Sequence, residues 1–161
     1  MVPSEEIWIE AEAADTITTP MRIYEDPAAS GGMYIGTDSG EPEDTGTPLF
    51  PAGTATYTFA VAGGVYKITG RIIIPSGDSF WVRIPSATNL TPGEDPDNPG
   101  TGWVRWSDPD DSDNWYWADV FSGDHDATVA NWTLPAGTHT LEIAYREYAA
   151  LWDVIVISKI D

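Results

Sequence analysis

The sequence predicts an all-β domain folded as a β-sandwich of the jelly-roll kind. Short runs alternating apolar with polar or small residues recur along the chain at near-regular spacing. They are punctuated by 15 Gly and 13 Pro, the residues that make turns. Thr, Ile, Val and aromatics, with 8 Trp and 7 Tyr, outweigh the helix formers other than Ala.

The runs follow in order. Ile7-Trp8-Ile9-Glu10-Ala11-Glu12 reads as a strand with one face in a core. Met21 to Tyr24 and Met33 to Ile35 are short strands, with Ser30-Gly31-Gly32 turning the chain between them. Ala55 to Val61 alternates Thr with apolar residues, Gly63-Gly64 makes a hairpin connection, and Val65 to Ile74 follows. Phe80 to Ile84 ends at Pro85. Residues 85–102 form a loop rich in Pro, Gly and Asp. Trp103 to Trp106 is a short strand, and Asp108-Pro109-Asp110-Asp111-Ser112-Asp113 opens a second acidic loop. Trp115 to Phe121 alternates aromatics. Ala127 to Leu134, Thr138 to Tyr145 and Leu151 to Ile157 complete the set, with Pro135-Ala136-Gly137 as a turn. Ten or eleven short strands suit a sandwich. The first and last are apolar enough to be central, and no segment reads as a long helix.

The 161 residues fit one domain large enough to bury a core. There is no Cys, which excludes disulfides and thiolate metal sites. No apolar run reaches the roughly 18 residues of a membrane span. With 26 acidic and 7 basic residues the formal charge is −19. That charge repels nucleic acid and anionic membranes and keeps the chain soluble. Screening confines surface charge to about 8 Å at physiological salt, so a local arginine cluster still meets an anionic sugar.

Four stretches, in order, carry a family resemblance. They are Ile9-Glu10-Ala11-Glu12 followed by Ala29-Ser30-Gly31-Gly32-Met33-Tyr34-Ile35; Asp78-Ser79-Phe80-Trp81-Val82-Arg83; Leu134-Pro135-Ala136-Gly137-Thr138-His139-Thr140-Leu141-Glu142-Ile143; and Tyr145-Arg146-Glu147 through Leu151-Trp152-Asp153-Val154-Ile155. Together they resemble carbohydrate-binding modules of families 6 and 35. The chain departs from that pattern where Ala149 and Ala150 replace a final-loop Gly, and in its long acidic loop over 85–114. Both places vary with ligand in such modules, so the sugar is not carried over.

The resemblance implies a non-catalytic domain that holds a polysaccharide or oligosaccharide. It implies a structural calcium (Ca2+) on Glu10, Glu12 and Asp153, helped by carbonyls of the Ser30-Gly31-Gly32 turn. The chemistry is sound, because residues two apart on a strand share a face and Ca2+ takes six to eight oxygens. From spacing alone, Glu10 and Glu12 read first as the solvent face of an edge strand, and the family ordering is what turns the reading to calcium. The Asp108–Asn114 segment looks like a calcium loop but lacks a Gly at its sixth position and a closing Glu at its twelfth, so it reads as a solvated acidic loop. The opening residues lack a signal-peptide pattern. Met1 reads as a start added to a single module over 1–161, taken from a longer secreted bacterial protein. In that parent it is covalently linked to a catalytic domain, and it is expected to be a monomer.

A sugar site stacks aromatic rings on C–H faces and reads hydroxyls with polar side chains. Alternation pairs Trp81 with Arg83 and Trp103 with Arg105, and an arginine does not suit a core face. Trp115 and Trp117 share a face, and Arg146 and Tyr148 flank the final loop. The expected cleft is Trp81, Arg83, Trp103, Trp115, Trp117, Arg146 and Tyr148, with core packing the rival reading for each aromatic. Trp8, Trp132 and Trp152 are expected in the core. Arg83, Arg105 and Arg146 lean toward an anionic ligand, or else form salt bridges. The competing functions are an adhesion spacer and a small jelly-roll glycosidase or lyase. His139 reads as structural and His125 lies in an acidic turn, and there is no Gly-x-Ser-x-Gly elbow or zinc-ligand helix.

Overall fold

A computed structural model describes residues 5–38, 40–41, 45–74, 78–107, 112–123 and 125–161. Most of the expected Asp108–Asp113 loop lies outside them. In chain order the strands are β1 (Glu6–Glu10), β2 (Thr16–Ile17), β3 (Met21–Glu25), β4 (Met33–Thr37), β5 (Thr54–Val61), β6 (Gly64–Ile73), β7 (Ser79–Arg83), β8 (Asn89–Thr91), β9 (Val104–Ser107), β10 (Tyr116–Asp119), β11 (Phe121–Ser122), β12 (Thr128–Val129), β13 (Asn131–Leu134), β14 (Gly137–Tyr145) and β15 (Leu151–Lys159). Among the described residues the only helices are single 3-10 turns at Ala11–Ala13 and Ser30–Gly32.

Two antiparallel sheets form the sandwich that the periodicity predicts. The five-stranded sheet runs β2-β5-β14-β7-β9. The eight-stranded sheet is built on β15 and β6, with β1 and β4 along the outer side of β15 and β10 and β13 along the outer side of β6. The last strand is central, as expected. The first is not: among the described residues β1 pairs only with β15. Short β8 lies within the stretch expected to be loop.

The core lies between the sheets. Ile68 and Ile72 from β6, Trp132 from β13 and Trp152 and Ile155 from β15 meet Tyr57, Phe80, Val82, Trp106 and Ile143 from the other side. Trp152 packs at 4.8 Å from Trp106 and 5.3 Å from Phe80. Gly70 makes room for this: a Cβ there would lie 2.9 Å from both Trp106 and Trp152. Trp132 and Trp152 are core residues, as expected.

One irregularity matters for the site. Trp152 pairs with Ile72 and Val154 with Arg71, so Asp153 is the extra residue of a β-bulge. The bulge keeps Trp152 on the core side and Val154 on the outer side, and it turns Asp153 toward the end of β1. The indole N–H of Trp152 fixes the bulge by donating to the Val154 carbonyl at 2.8 Å.

Candidate functional site

The register brings three rows of outer-face residues together across β1-β15-β6-β10. Trp8 lies opposite Val156, which lies opposite Thr69, which lies opposite Asp119. Glu10, Val154, Arg71 and Trp117 form the next row, and Glu6, Ser158 and Lys67 the row on the far side. Trp8 is 61% exposed and Trp117 47% exposed. Their strands stand three spacings apart, about 14 Å. The indoles nevertheless meet edge to face with centroids 5.6 Å apart. They close that distance by reaching over the central strands, which leaves the outer-face Val154 and Val156 almost fully buried.

The pair separates two depressions. One, about 310 Å³, is lined by Glu10, Ser30, Arg71 and Val154 besides the two indoles. The other, about 420 Å³, is lined by Glu6, Lys67, Thr69 and Lys159 besides them. Lys67 Nζ is 3.1 Å from Asp119 Oδ2, and the Thr69 hydroxyl donates to Asp119 Oδ1 at 2.7 Å. Arg71 donates to Asp153 and to the Ala28 carbonyl, and its guanidinium lies 5.6 Å from the Trp115 ring. Trp115 is half-buried against Tyr34, and its N–H donates to Asp26 at 3.0 Å. The Ala28 N–H, and then this indole N–H, hold the Asp26 carboxyl below its usual range.

Trp8, expected in the core, is the most exposed large apolar residue described. Ile7 and Ile9 pack against the core, so alternation sends Glu6, Trp8 and Glu10 outward together. Lys67 and Arg71 were likewise not expected in a site. Their signal was present in β6, where Tyr66, Ile68 and Ile72 face in and Lys67, Thr69 and Arg71 face out.

Trp81, Arg83 and Trp103 lie on the other side of the sandwich. Phe80 and Val82 of β7 face the core, so Trp81 and Arg83 face away from it, as expected. They are not open to solvent. Trp81 is 1% and Trp103 3% exposed, and with Ala144 they form a separate small core. Two loops close over it. The Trp81 N–H donates to Thr45 at 3.1 Å, and Asn98 donates to the Gly46 carbonyl at 3.0 Å. Arg83 lies 4.2 Å from the centroid of Trp103 and 5.1 Å from that of Phe50, and pairs with Glu142 at 2.6 Å. Glu94 accepts from the N–H groups of Gly100, Thr101 and Gly102, which hold its carboxyl below the usual range and fasten the second loop.

The Arg146 guanidinium lies 5.7 Å from the Trp81 ring and pairs with Glu147. Tyr148 is half-buried in the loop that follows. Burial, and then a hydrogen bond with Asp78, push Glu147 up to about 8. The expected cleft is therefore not one surface. Trp81, Arg83, Trp103 and Arg146 gather on the covered face of the five-stranded sheet, and Trp115 and Trp117 stand on the opposite sheet.

Glu10, Glu12 and Asp153 do come together. Each offers a carboxylate oxygen within 4.8 Å of the others. Glu12 is not two places along a strand, as the spacing suggested. β1 ends at Glu10, and a 3-10 turn pinned by buried Ala11 swings Glu12 back beneath it. Glu10 Oε2, Glu12 Oε2 and Asp153 Oδ1 are buried without a hydrogen-bond partner. Their other contacts hold them in place. Ser30 donates its hydroxyl to Glu10 at 2.6 Å and its N–H to Asp153 at 2.9 Å. Gly31, at φ 65°, leaves just enough room, since a Cβ there would lie 3.3 Å from Glu12. Burial, and then the charges of Glu10 and Asp153, raise the Glu12 carboxyl above its usual value. Three converging oxygens without donors are a donor set that can hold a metal cation.

No protein-family model matches the sequence, and no curated protein matches it. Solved structures match its fold. The GH26-CBM35 β-(1,4)-mannanase of Podospora anserina aligns over 97% of this chain with a TM-score of 0.61 and 17% identity. The chain spans only 28% of that protein. The carbohydrate-binding module CBM6cm-2 of Cellvibrio mixtus lichenase 5A, solved with cellotriose, aligns over 96% of this chain and 98% of its own, with a TM-score of 0.59 and 17% identity. The C-terminal CBM6 of the laminarinase LamC from Zobellia galactanivorans covers 96% and 100%, with a TM-score of 0.57 and 14% identity. This chain has the two-sheet sandwich fold of family 6 modules, and the last two of these structures, which it covers almost end to end, are each a single carbohydrate-binding module.

Proposed function

We propose that this chain is a secreted, monomeric, non-catalytic module. It binds a polysaccharide or oligosaccharide and targets an appended glycoside hydrolase or polysaccharide lyase to its substrate. The observation that carries this reading is the Trp8–Trp117 pair, two large rings left in solvent and in mutual contact. An adhesion spacer gains nothing from that exposure. A glycosidase or lyase reading finds little support in the histidines. His139 is buried and bonded to Ser86 and the Pro135 carbonyl, and His125 is bonded to Ser122.

In this reading Glu10, Glu12 and Asp153 hold Ca2+, which offsets two of their three negative charges beside the Arg71 guanidinium on Asp153, and ties the first strand to the last. The ion's role is structural. Affinity electrophoresis tests the function. The gels contain hydroxyethylcellulose, laminarin, galactomannan, arabinoxylan, alginate, pectate or carrageenan. Retardation of the wild-type protein by at least one polysaccharide is expected. Retardation by none, with Ca2+ present, returns the chain to the spacer reading.

A further inference from the structure

We infer that the open face binds the interior of a neutral glycan chain, laid across the Trp8–Trp117 pair with sugar units in both flanking depressions. This rests on the carbohydrate-binding reading and specifies where and how the ligand lies. The shape comes first. The pair is a ridge with a depression on each side, and neither depression is the closed end of a pocket. A chain end needs a wall to stop against. A continuing chain needs two open sides, and among the described residues this face has them.

The charges decide the ligand class. Lys67, Arg71 and Lys159, three of only seven basic residues, border the two depressions. Lys67 is held by Asp119 and Arg71 by Asp153. An anionic sugar would have to compete with those carboxylates for Lys67 and Arg71, beside Glu6 and Glu10 and within a strongly acidic protein. A neutral sugar faces no such competition. The ion pairs present fixed donors and acceptors, which suit hydroxyl groups, while the rings take the C–H faces. Thr69, Ser158 and Glu6 serve one side of the ridge, and Glu10 and Ser30 the other.

The test is calorimetric titration of the full chain. The probes are cello-, laminari- and manno-oligosaccharides from di- to hexasaccharide, with free or borohydride-reduced ends, compared with oligo-alginate and oligogalacturonate. One neutral series is expected to bind, with affinity rising about tenfold or more from di- to hexasaccharide. End reduction should have no effect. Raising salt from about 50 to about 500 mM should change Kd less than about twofold, since no net charge pairing drives the contact.

Trp8→Ala and Trp117→Ala should each weaken binding about tenfold or more, and together should abolish it. Leu49→Ala, on a loop over the opposite face, should bind like the wild type. A plateau at the disaccharide, loss of binding on end reduction, or preference for the acidic oligosaccharides overturns the inference while leaving carbohydrate binding intact. So does undiminished binding by the Trp8/Trp117 double variant. Sedimentation equilibrium covers the remaining occupant. A wild-type dimer that the double variant converts to monomer, and that no oligosaccharide dissociates, makes this face an interface between copies. Failure of every glycan instead overturns the proposed function itself.

Discussion

On the five-stranded sheet Trp81 and Trp103 stand beside Arg83. On the eight-stranded sheet Trp8 and Trp117 stand beside Arg71 and Lys67. Both sets point away from the core, and in both the cations are paired with carboxylates. They differ in what lies above them. Over the first, the loops carrying Thr45, Phe50 and Asn98 meet and seal the rings into a second core. Over the second no described loop closes, because β1 and β10 flank the central strands and present their own side chains. Alternation decides which face a residue takes, and loops decide whether that face is wet. The same pairing of tryptophan and arginine serves packing on one side and leaves a surface free to bind on the other.

Substitution on the covered face should break this comparison most visibly. Trp81→Ala removes a fully enclosed indole and should cost about 3–5 kcal/mol of stability, read as a fall in the urea midpoint. Polysaccharide retention, measured well below the transition, should persist. A variant that stays stable yet loses retention would reverse the roles of the two faces.

Metal addition comes next in size, and acts at the margin of the open face. Ca2+ at about a hundredfold excess over its Kd should stabilise the protein by about 2.7 kcal/mol, seen as a calcium-dependent rise in Tm that a chelator reverses. Asp153→Asn should remove the response. Mg2+ should be less effective, because it demands a tighter octahedral shell than three crowded carboxylates offer. A Tm indifferent to Ca2+ would leave the three buried oxygens unexplained.

At the end of the covered face, Glu147 gives a pH dependence. Its carboxyl is raised to about 8 in the folded chain, chiefly by burial. The unfolded value is near 4.5, so between the two the folded state holds a proton that the unfolded state has lost. Stability from this group is therefore complete below the unfolded value, falls as pH rises through the window, and is gone above the folded value. Glu147→Gln should flatten that part of the stability profile between pH 5 and 8, where an unchanged slope would place the effect elsewhere.

Much of this was legible beforehand, and the exceptions have causes. The sandwich and the central last strand followed from period-two patterning, and the meeting of Glu10, Glu12 and Asp153 from the resemblance that the four ordered motifs carry. The bulge that aims Asp153 did not, because Trp152-Asp153-Val154 alternates as well without a bulge as with one. The faces of Trp81 and Trp103 were read correctly from their arginine neighbours. Their burial was not, because it depends on Asn98 reaching Gly46, a contact between loops 52 residues apart. Trp8 lies outside the core because Ile7 and Ile9 on either side of it face in, which sends the residue between them outward.

The smallest expected effect tests the open face most closely. Trp8→Ala should cost only about 1 kcal/mol, since the ring is mostly in solvent and loses chiefly its contact with Trp117 and its cover over Val156. Trp117→Ala should cost a similar amount. In a double-mutant cycle by urea denaturation, the two should couple by about 0.5–1.5 kcal/mol, the usual value for an edge-to-face aromatic pair. That coupling is independent of any sugar. If it is zero, the indoles do not meet over the central strands, the ridge between the depressions is absent, and the face is flat rather than divided. If it is present, the rings are held in place before a ligand arrives. Stacking then costs little ordering entropy, which is what a solvent-exposed pair of rings needs in order to bind.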